Sequence, residues 1–140
     1  MHDSIKKYKD IGNSIERELE GQKNTILPKI IAVSKTFQLK RIIPLIEYGH
    51  LDYGENKVQE ALDKWSEIKK KNLKIKLHLI GGLQTNKVKF ALRIFDYIHS
   101  VDSKKLAKKI ADEQVKQNKK VKLFIQVNIG NEEQKSGVNK

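Results

Sequence analysis

The chain has 140 residues, of which 33% are charged and 38% hydrophobic, a length and composition typical of about one modest globular domain rather than a disordered segment. It contains no cysteine, which excludes disulfides and thiolate zinc sites and fits a reducing compartment. No apolar run approaches the roughly 20 residues of a membrane span. We therefore expect a single domain over residues 1–140, located in the cytoplasm and without a membrane partner.

The formal net charge of +12 raises the question of nucleic-acid binding, but the residue types disfavour it. Of the 29 basic residues only Arg17, Arg41 and Arg93 are arginines, the type that sequence-specific readers use for bidentate contacts. Aromatic residues make up 6% and are not interleaved with basic runs, so no stacking platform for bases is visible. We interpret most lysines as solvated surface residues and expect no specific nucleic-acid partner.

Helical and strand patterns alternate along the chain. In chain order, the spacing of apolar residues predicts a helix over 5–22, a strand over 30–33, a helix over 38–48, a strand over 51–53, a helix over 56–70, a strand over 77–80, a helix over 86–95, a strand over 97–100, a helix over 103–117 and a strand over 121–127. Gly21 and Gly49 are predicted helix stops, and Ser103 is a predicted N-cap. Pro44 is a weak point inside the second helix.

Short apolar strands that alternate with helices indicate βαβ units and a parallel α/β sheet. Two architectures fit this pattern: a doubly wound sheet, or part of a (β/α)₈ barrel. A complete barrel takes around 250 residues, and this chain supplies about five of its eight strands. Because the pattern calls for a helix after the fifth strand, we expect the chain to be the N-terminal portion of a longer protein.

Polar residues follow each predicted strand, at the edge where parallel α/β folds place their ligands. Lys35 comes directly after the first strand, where partial desolvation would lower the pKa of its ammonium group. A neutral lysine amine can condense with an aldehyde to form a Schiff base. The alternative is that Lys35 is one more surface lysine, so position alone leaves its role open.

The other polar residues also have structural interpretations. Asn56 could cap the helix that follows it, and His78 could be a hydrogen-bonded core histidine. Gly81 and Gly82 could form a strand-to-helix turn, and Lys135 could be solvated. The four histidines are too dispersed in sequence to predict a metal site, and no Ser/His/Asp or paired-carboxylate pattern is present.

Several segments together resemble, in order, the pyridoxal 5′-phosphate homeostasis protein family, also called the proline synthase co-transcribed family. The matching segments are 31–36 (IAVSKT), 53–60 (YGENKVQE), 78–87 (HLIGGLQTNK), 99–103 (HSVDS), 126–129 (QVNI) and 133–137 (EQKSG). The resemblance implies a partial (β/α)₈ TIM barrel like the N-terminal domain of alanine racemase, with about five βα units and an N-terminal helix. It also implies that Lys35 holds pyridoxal 5′-phosphate (PLP) as a Schiff base, and that Asn56, His78 and Lys135 contribute to cofactor binding.

The resemblance further implies a carrier without a defined catalytic reaction, which holds PLP and passes it to PLP-requiring apoenzymes. Two positions depart from the family pattern: Phe37 stands where a second lysine is frequent, and Gly82 where a larger residue is common. The family's phosphate-binding loops come late in the chain, as in barrels generally, so we expect this chain to carry only the aldehyde-binding part. A racemase-like PLP enzyme is the alternative, and a basic nucleic-acid-binding module is a third, weaker interpretation.

Overall fold

A computed structural model describes residues 1–23 and 26–140. The chain forms two compact units, one built from Met1–Ile30 and Thr36–Leu51, the other from Ile31–Lys35 and Asp52–Lys140. In the described part of the chain, no helix has the length and apolar character needed to cross a membrane.

The first unit contains two helices, α1 (Asp3–Leu19) and α2 (Leu39–Tyr48). They pack through Tyr8, whose ring lies edge-on to Tyr48 at a centroid distance of 5.9 Å. Helix α1 begins two residues earlier than its apolar pattern predicts, because the His2 ring accepts a hydrogen bond from the Ser4 amide. Helix α2 ends as predicted at Gly49, whose φ of 106° is the left-handed conformation that glycine favours.

Pro44 lies within α2, as its sixth residue. A proline there leaves the carbonyl of the preceding turn without its usual helical donor. The helix nevertheless continues to Tyr48, because Ile42 and Leu45 are both buried and their packing outweighs the lost hydrogen bond. The predicted helix is therefore confirmed, with the proline tolerated in its second turn.

The second unit is built on a parallel sheet of five strands: β1 (Ala32–Val33), β2 (Asp52–Glu55), β3 (Lys76–Leu79), β4 (Tyr97–Val101) and β5 (Lys122–Ile125). Their order in space is their order in sequence. In a doubly wound sheet the order of the strands reverses at a switch point, whereas in a (β/α)₈ barrel each strand lies beside the previous one. The topology is therefore that of a partial (β/α)₈ barrel, as expected.

Helices connect the later strands of this sheet. They are α3 (Val58–Lys71), α4 (Val88–Ile94), preceded by a 3₁₀ turn over Thr85–Lys87, and α5 (Lys104–Gln117). Ser103 caps α5 as predicted, because its hydroxyl oxygen accepts the Leu106 amide at 3.1 Å. The core of this unit consists of fully buried apolar side chains, the largest being Trp65, Tyr53, Phe95, Ile75, Leu77, Leu79, Leu92, Ile98, Leu106 and Ile110.

Burial falls away toward the two ends of the strand order. The central strand β3 buries Leu77, His78 and Leu79, so both of its faces are covered, as expected for parallel sheets. All four residues of β5 are exposed, and β1 pairs through two residues only. The fifth strand is shorter than the predicted 121–127, and Val127 pairs instead with Val138 in an isolated bridge.

Candidate functional site

The carboxyl ends of the strands bring Lys35 and Asn56 to neighbouring positions. Val33 of β1 pairs with Gly54 of β2, and Lys35 and Asn56 each follow two residues later. Lys35 is exposed and lies in a turn. The structure thus places Lys35 in an exposed turn after a two-residue strand at the end of the sheet, and not in a buried pocket.

The residue after Lys35 has an unusual backbone conformation. Thr36 has a φ of 66°, in the left-handed region that β-branched residues rarely occupy. Strain of this kind persists where the surroundings enforce it, and it clusters at functional sites. This left-handed residue directly follows Lys35, within the turn that comes after β1.

Asn56 is not the helix cap that its position suggests, because the N-cap of α3 is Lys57. Its side-chain oxygen Oδ1 is buried and has no hydrogen-bond partner within residues 1–23 and 26–140. Such an atom carries a free-energy cost unless a donor from elsewhere reaches it. Asn56 Oδ1 is thus a buried acceptor that the described residues leave without a donor, and its contact with a cofactor stays a prediction.

Gly81 packs against this asparagine. A Cβ atom built on Gly81 would lie 2.6 Å from the Asn56 carbonyl oxygen and 2.9 Å from the Asn56 Cβ, closer than real side chains come. A Cβ on Gly82 would meet nothing within 4 Å in the described part of the chain. The first glycine thus has a packing reason, and the second leaves open space beside the site.

Behind Lys35 lies a buried cluster of polar side chains that the sequence pattern does not reveal. Glu55 is fully buried, and its Oε1 atom accepts hydrogen bonds from Ser34 Oγ at 2.9 Å, Lys64 Nζ at 2.8 Å and Trp65 Nε1 at 2.8 Å. In the sequence, Glu60 and Lys64 are four residues apart, a spacing that predicts an ion pair on one face of a helix. In the structure, their charged groups are 3.1 Å apart. That spacing says nothing about Glu55.

His78 lies deeper in the sheet, with both ring nitrogens engaged. Its Nε2 donates to Asp52 Oδ1 at 2.8 Å, and its Nδ1 lies 2.9 Å from His99 Nε2. Tyr97 stacks on the His78 ring at 4.1 Å, and Phe124 stacks on His99 at 4.6 Å. The structure thus places His78 in the environment of a hydrogen-bonded core histidine, the structural interpretation given above. Its contact with a cofactor stays a prediction.

Burial and the nearby His78 together hold the pKa of His99 below its ordinary value. The two histidines are 21 residues apart in sequence and adjacent in space, so their apparent dispersion was misleading. Even so, no group of three or more metal-ligating side chains occurs among the residues that the structure describes.

Lys135 lies apart from Lys35 in the strand order, in the loop that follows β5. Its ammonium group pairs with Glu132 Oε2 at 2.7 Å, and the side chain is exposed. The loop returns to the strand, where the Val138 amide donates to the Gln126 carbonyl at 2.9 Å. The predicted site residues therefore divide into a neighbouring pair, Lys35 and Asn56, a buried histidine and a solvated lysine.

Lys35 and Asn56 provide two kinds of chemical group at these strand ends. Lys35 is an exposed lysine, and Asn56, at the neighbouring strand end, has a buried amide oxygen without a hydrogen-bond partner among the described residues. A primary amine can capture an aldehyde, and the amide oxygen can accept a hydrogen bond from a hydroxyl or amine group.

Comparison with known proteins gives consistent results. The sequence model described as "Alanine racemase, N-terminal domain" matches residues 13–140. The chain is 36% identical over 110 residues to the pyridoxal phosphate homeostasis protein of Pasteurella multocida, covering 79% of this chain and 47% of that protein. It is 42% identical over 110 residues to the protein of the same name from Aquifex aeolicus, with the same coverage.

Among solved structures, the chain is similar to PipY of Synechococcus elongatus with PLP bound. The TM-score is 0.68 and the identity 35%, covering 82% of this chain and 55% of PipY. The chain thus spans about half the length of the relatives that it matches.

Proposed function

Since this chain belongs to the family of the alanine racemase N-terminal domain, we propose that it binds PLP through a Schiff base at Lys35 and serves PLP homeostasis. Relatives that share at least a third of its aligned residues carry the name pyridoxal phosphate homeostasis protein, and PipY has been solved with PLP bound. The observation that carries the proposal is the exposed Lys35 at the end of β1, which the strand register places next to the end of β2 where Asn56 lies.

When bound, PLP supplies an aldehyde that a lysine amine can capture. The Lys35 ammonium first loses a proton to solvent, and its nitrogen then adds to the aldehyde carbon. The nitrogen loses its two remaining protons, the carbonyl oxygen leaves as water, and no redox change occurs. A rotation of the Asn56 side chain that brings its buried Oδ1 atom to the site would let it accept from a hydroxyl of the ligand and so satisfy that atom.

For the whole protein, we propose a carrier role rather than catalysis. The relatives are named as homeostasis proteins and not as enzymes. A racemase-like reaction would also need an acid–base partner on the opposite face of the cofactor. We further propose that PLP-requiring apoenzymes are the recipients of the cofactor. We also propose that residues 1–140 belong to one domain, the barrel. A cytoplasmic location is the third proposal, and the absence of cysteine supports it.

The test is borohydride trapping on the chain itself. The chain is mixed with equimolar PLP, reduced with borohydride, and each lysine's share of the label is measured by peptide mapping. We expect weak total labelling, with Lys35 labelled at least threefold above the mean of the other lysines. Lys35→Ala should remove that excess.

Lys119 provides the matched control, because partial burial, aided by nearby Lys69, lowers the pKa of its amine. Lys119→Arg should leave the Lys35 share unchanged. If the label gathers on Lys119 or is even across lysines, the Lys35 assignment is wrong. Saturable turnover of an amino acid that disappears in Lys35→Ala would instead support the enzyme alternative.

A further inference from the structure

The buried carboxylate of Glu55 joins the strand that carries Lys35 to helix α3. Its Oε1 atom accepts the Ser34 hydroxyl and the Lys64 ammonium, at 2.9 and 2.8 Å. Glu55 is fully buried and the Lys64 side chain is 9% exposed. A charge pair this deeply buried is strongly directional, because water does not compete for either partner.

Lys64 makes a second contact that bears directly on Lys35. Its ammonium donates at 2.8 Å to the main-chain carbonyl of Ser34, which belongs to the peptide bond leading into Lys35. The Ser34 amide donates to the Gly54 carbonyl at 2.9 Å. Every polar group of Ser34 is thus held by β2 or α3, one residue before the proposed Schiff-base lysine.

Stability alone does not account for such a pair. Exchanging a buried ion pair for neutral or apolar side chains is often neutral or stabilising, because desolvating both charges is costly. The effect of the ion pair that remains is that it fixes one local backbone geometry. Here the geometry fixed is the start of the Lys35 side chain, and the left-handed Thr36 restrains the chain on the other side.

We propose that Glu55 and Lys64 are positioning residues that set the orientation of the Lys35 amine toward its aldehyde ligand. The inference rests on the proposed function, since it assigns these two residues a role in the same site. It adds residues that touch neither the ligand nor the reacting amine and act through the Ser34 carbonyl.

A second ion pair in the chain has a similar set of contacts and serves as a comparison. Lys69, also on α3, pairs with Asp96 Oδ2 at 2.5 Å and donates to the Ile94 carbonyl at 2.8 Å. Asp96 also accepts the Leu77 amide at 2.9 Å. Ile94 and Asp96 precede β4, at the opposite end of the strands from Lys35.

The experiment compares two neutralised pairs in the chain. The double variant Glu55→Gln with Lys64→Met removes both charges of the proposed positioning pair, and the glutamine oxygen can still accept from Trp65. The Glu60 carboxylate, which also loses its contact with Lys64, is 28% exposed and so stays in contact with water. The control is Lys69→Met with Asp96→Asn. The readouts are the Lys35 share of borohydride-fixed PLP and, without cofactor, the ¹⁵N order parameter of the Lys35 amide.

In the Glu55/Lys64 double variant we expect the Lys35 share to fall about threefold, to the mean of the other lysines. The order parameter should fall from a rigid value of about 0.85 toward about 0.6. The Lys69/Asp96 control should leave both unchanged. The positioning role alone would be overturned if the Glu55/Lys64 double variant kept the wild-type order parameter and the wild-type Lys35 labelling. Equal changes in the two double variants would overturn it as well. A wild-type chain without Lys35 preference would overturn the proposed function.

Discussion

At the scale of single residues, the site depends on the close approach of two backbones. Gly81 follows β3 and lies against Asn56, which follows β2. The atoms that an added Cβ would strike belong to the Asn56 main chain and Cβ, and such atoms cannot rotate away. Glycine is therefore required at position 81 for steric reasons, while Gly82 faces open space in the described part of the chain.

Gly81→Ala should destabilise the protein by about 1–3 kcal/mol, because overpacking forces a backbone shift. The shift should also displace Asn56 and its buried Oδ1 atom. Urea unfolding measures the first effect, and the side-chain amide NMR signal of Asn56 reports the second. Gly82→Ala is the matched control, expected to stay within about 0.5 kcal/mol of wild type. Equal effects at the two glycines would show that the Asn56 contact is unimportant.

At the scale of elements, polar contacts link three neighbouring strands of the sheet, and a ring stack extends to the fourth. The contacts run from Asp52 of β2 through His78 of β3 to His99 of β4, and the His99 ring stacks on Phe124 of β5. The Asp52 carboxylate can only accept, so His78 donates to it from Nε2, and the two histidine rings share the contact between His78 Nδ1 and His99 Nε2.

The pKa of His99 is lowered, first by burial and then by His78. The folded state therefore binds its proton less readily than the unfolded chain, whose histidine titrates near 6.5. Stability is complete above that pH and decreases as the pH falls through and below it. We expect the urea midpoint to drop between pH 7.5 and pH 5.5, and His99→Gln to reduce that drop. The same drop in both proteins would place the pH dependence in other groups.

At the scale of the whole molecule, the ends of the strand order expose apolar residues. Phe124 and Ile125 of β5 are 51% and 71% exposed, and Val33 of β1 is 50% exposed. Exposed apolar strands of this kind pair with other chains. Apolar surface left in water forgoes about 25 cal/mol per Å², which is large against a net stability of about 5–15 kcal/mol.

We therefore expect the 140-residue chain to be marginally stable and to associate or aggregate, although its charge of +12 opposes association. Ile125→Lys should weaken association at least tenfold, because it places a charge on the edge strand. Val115→Lys is the control, since Val115 is 82% exposed but lies on α5. Sedimentation velocity measures both variants. A monomeric wild type with a sharp thermal transition would contradict this prediction.

The elements and the strand-end position of Lys35 follow from the sequence by itself. Apolar periodicity is a local property, so it predicts each helix and strand to within a few residues, and the motif order identifies the barrel family. Helix ends depend on single contacts, such as the His2 ring at the start of α1, and were less well predicted. The choice between a doubly wound sheet and a barrel rests on strand order, which periodicity does not encode.

Only the tertiary structure decided which polar residues meet. Lys64 is one of 26 lysines, and nothing in its sequence surroundings shows that it reaches Glu55 and the Ser34 carbonyl. His78 and His99 look dispersed along the chain yet lie side by side, because parallel strands bring distant residues into register. Exposure of Lys35 likewise depends on which strand lies at the end of the sheet. Hydrogen bonds between buried groups are set by three-dimensional proximity, which local sequence patterns do not determine.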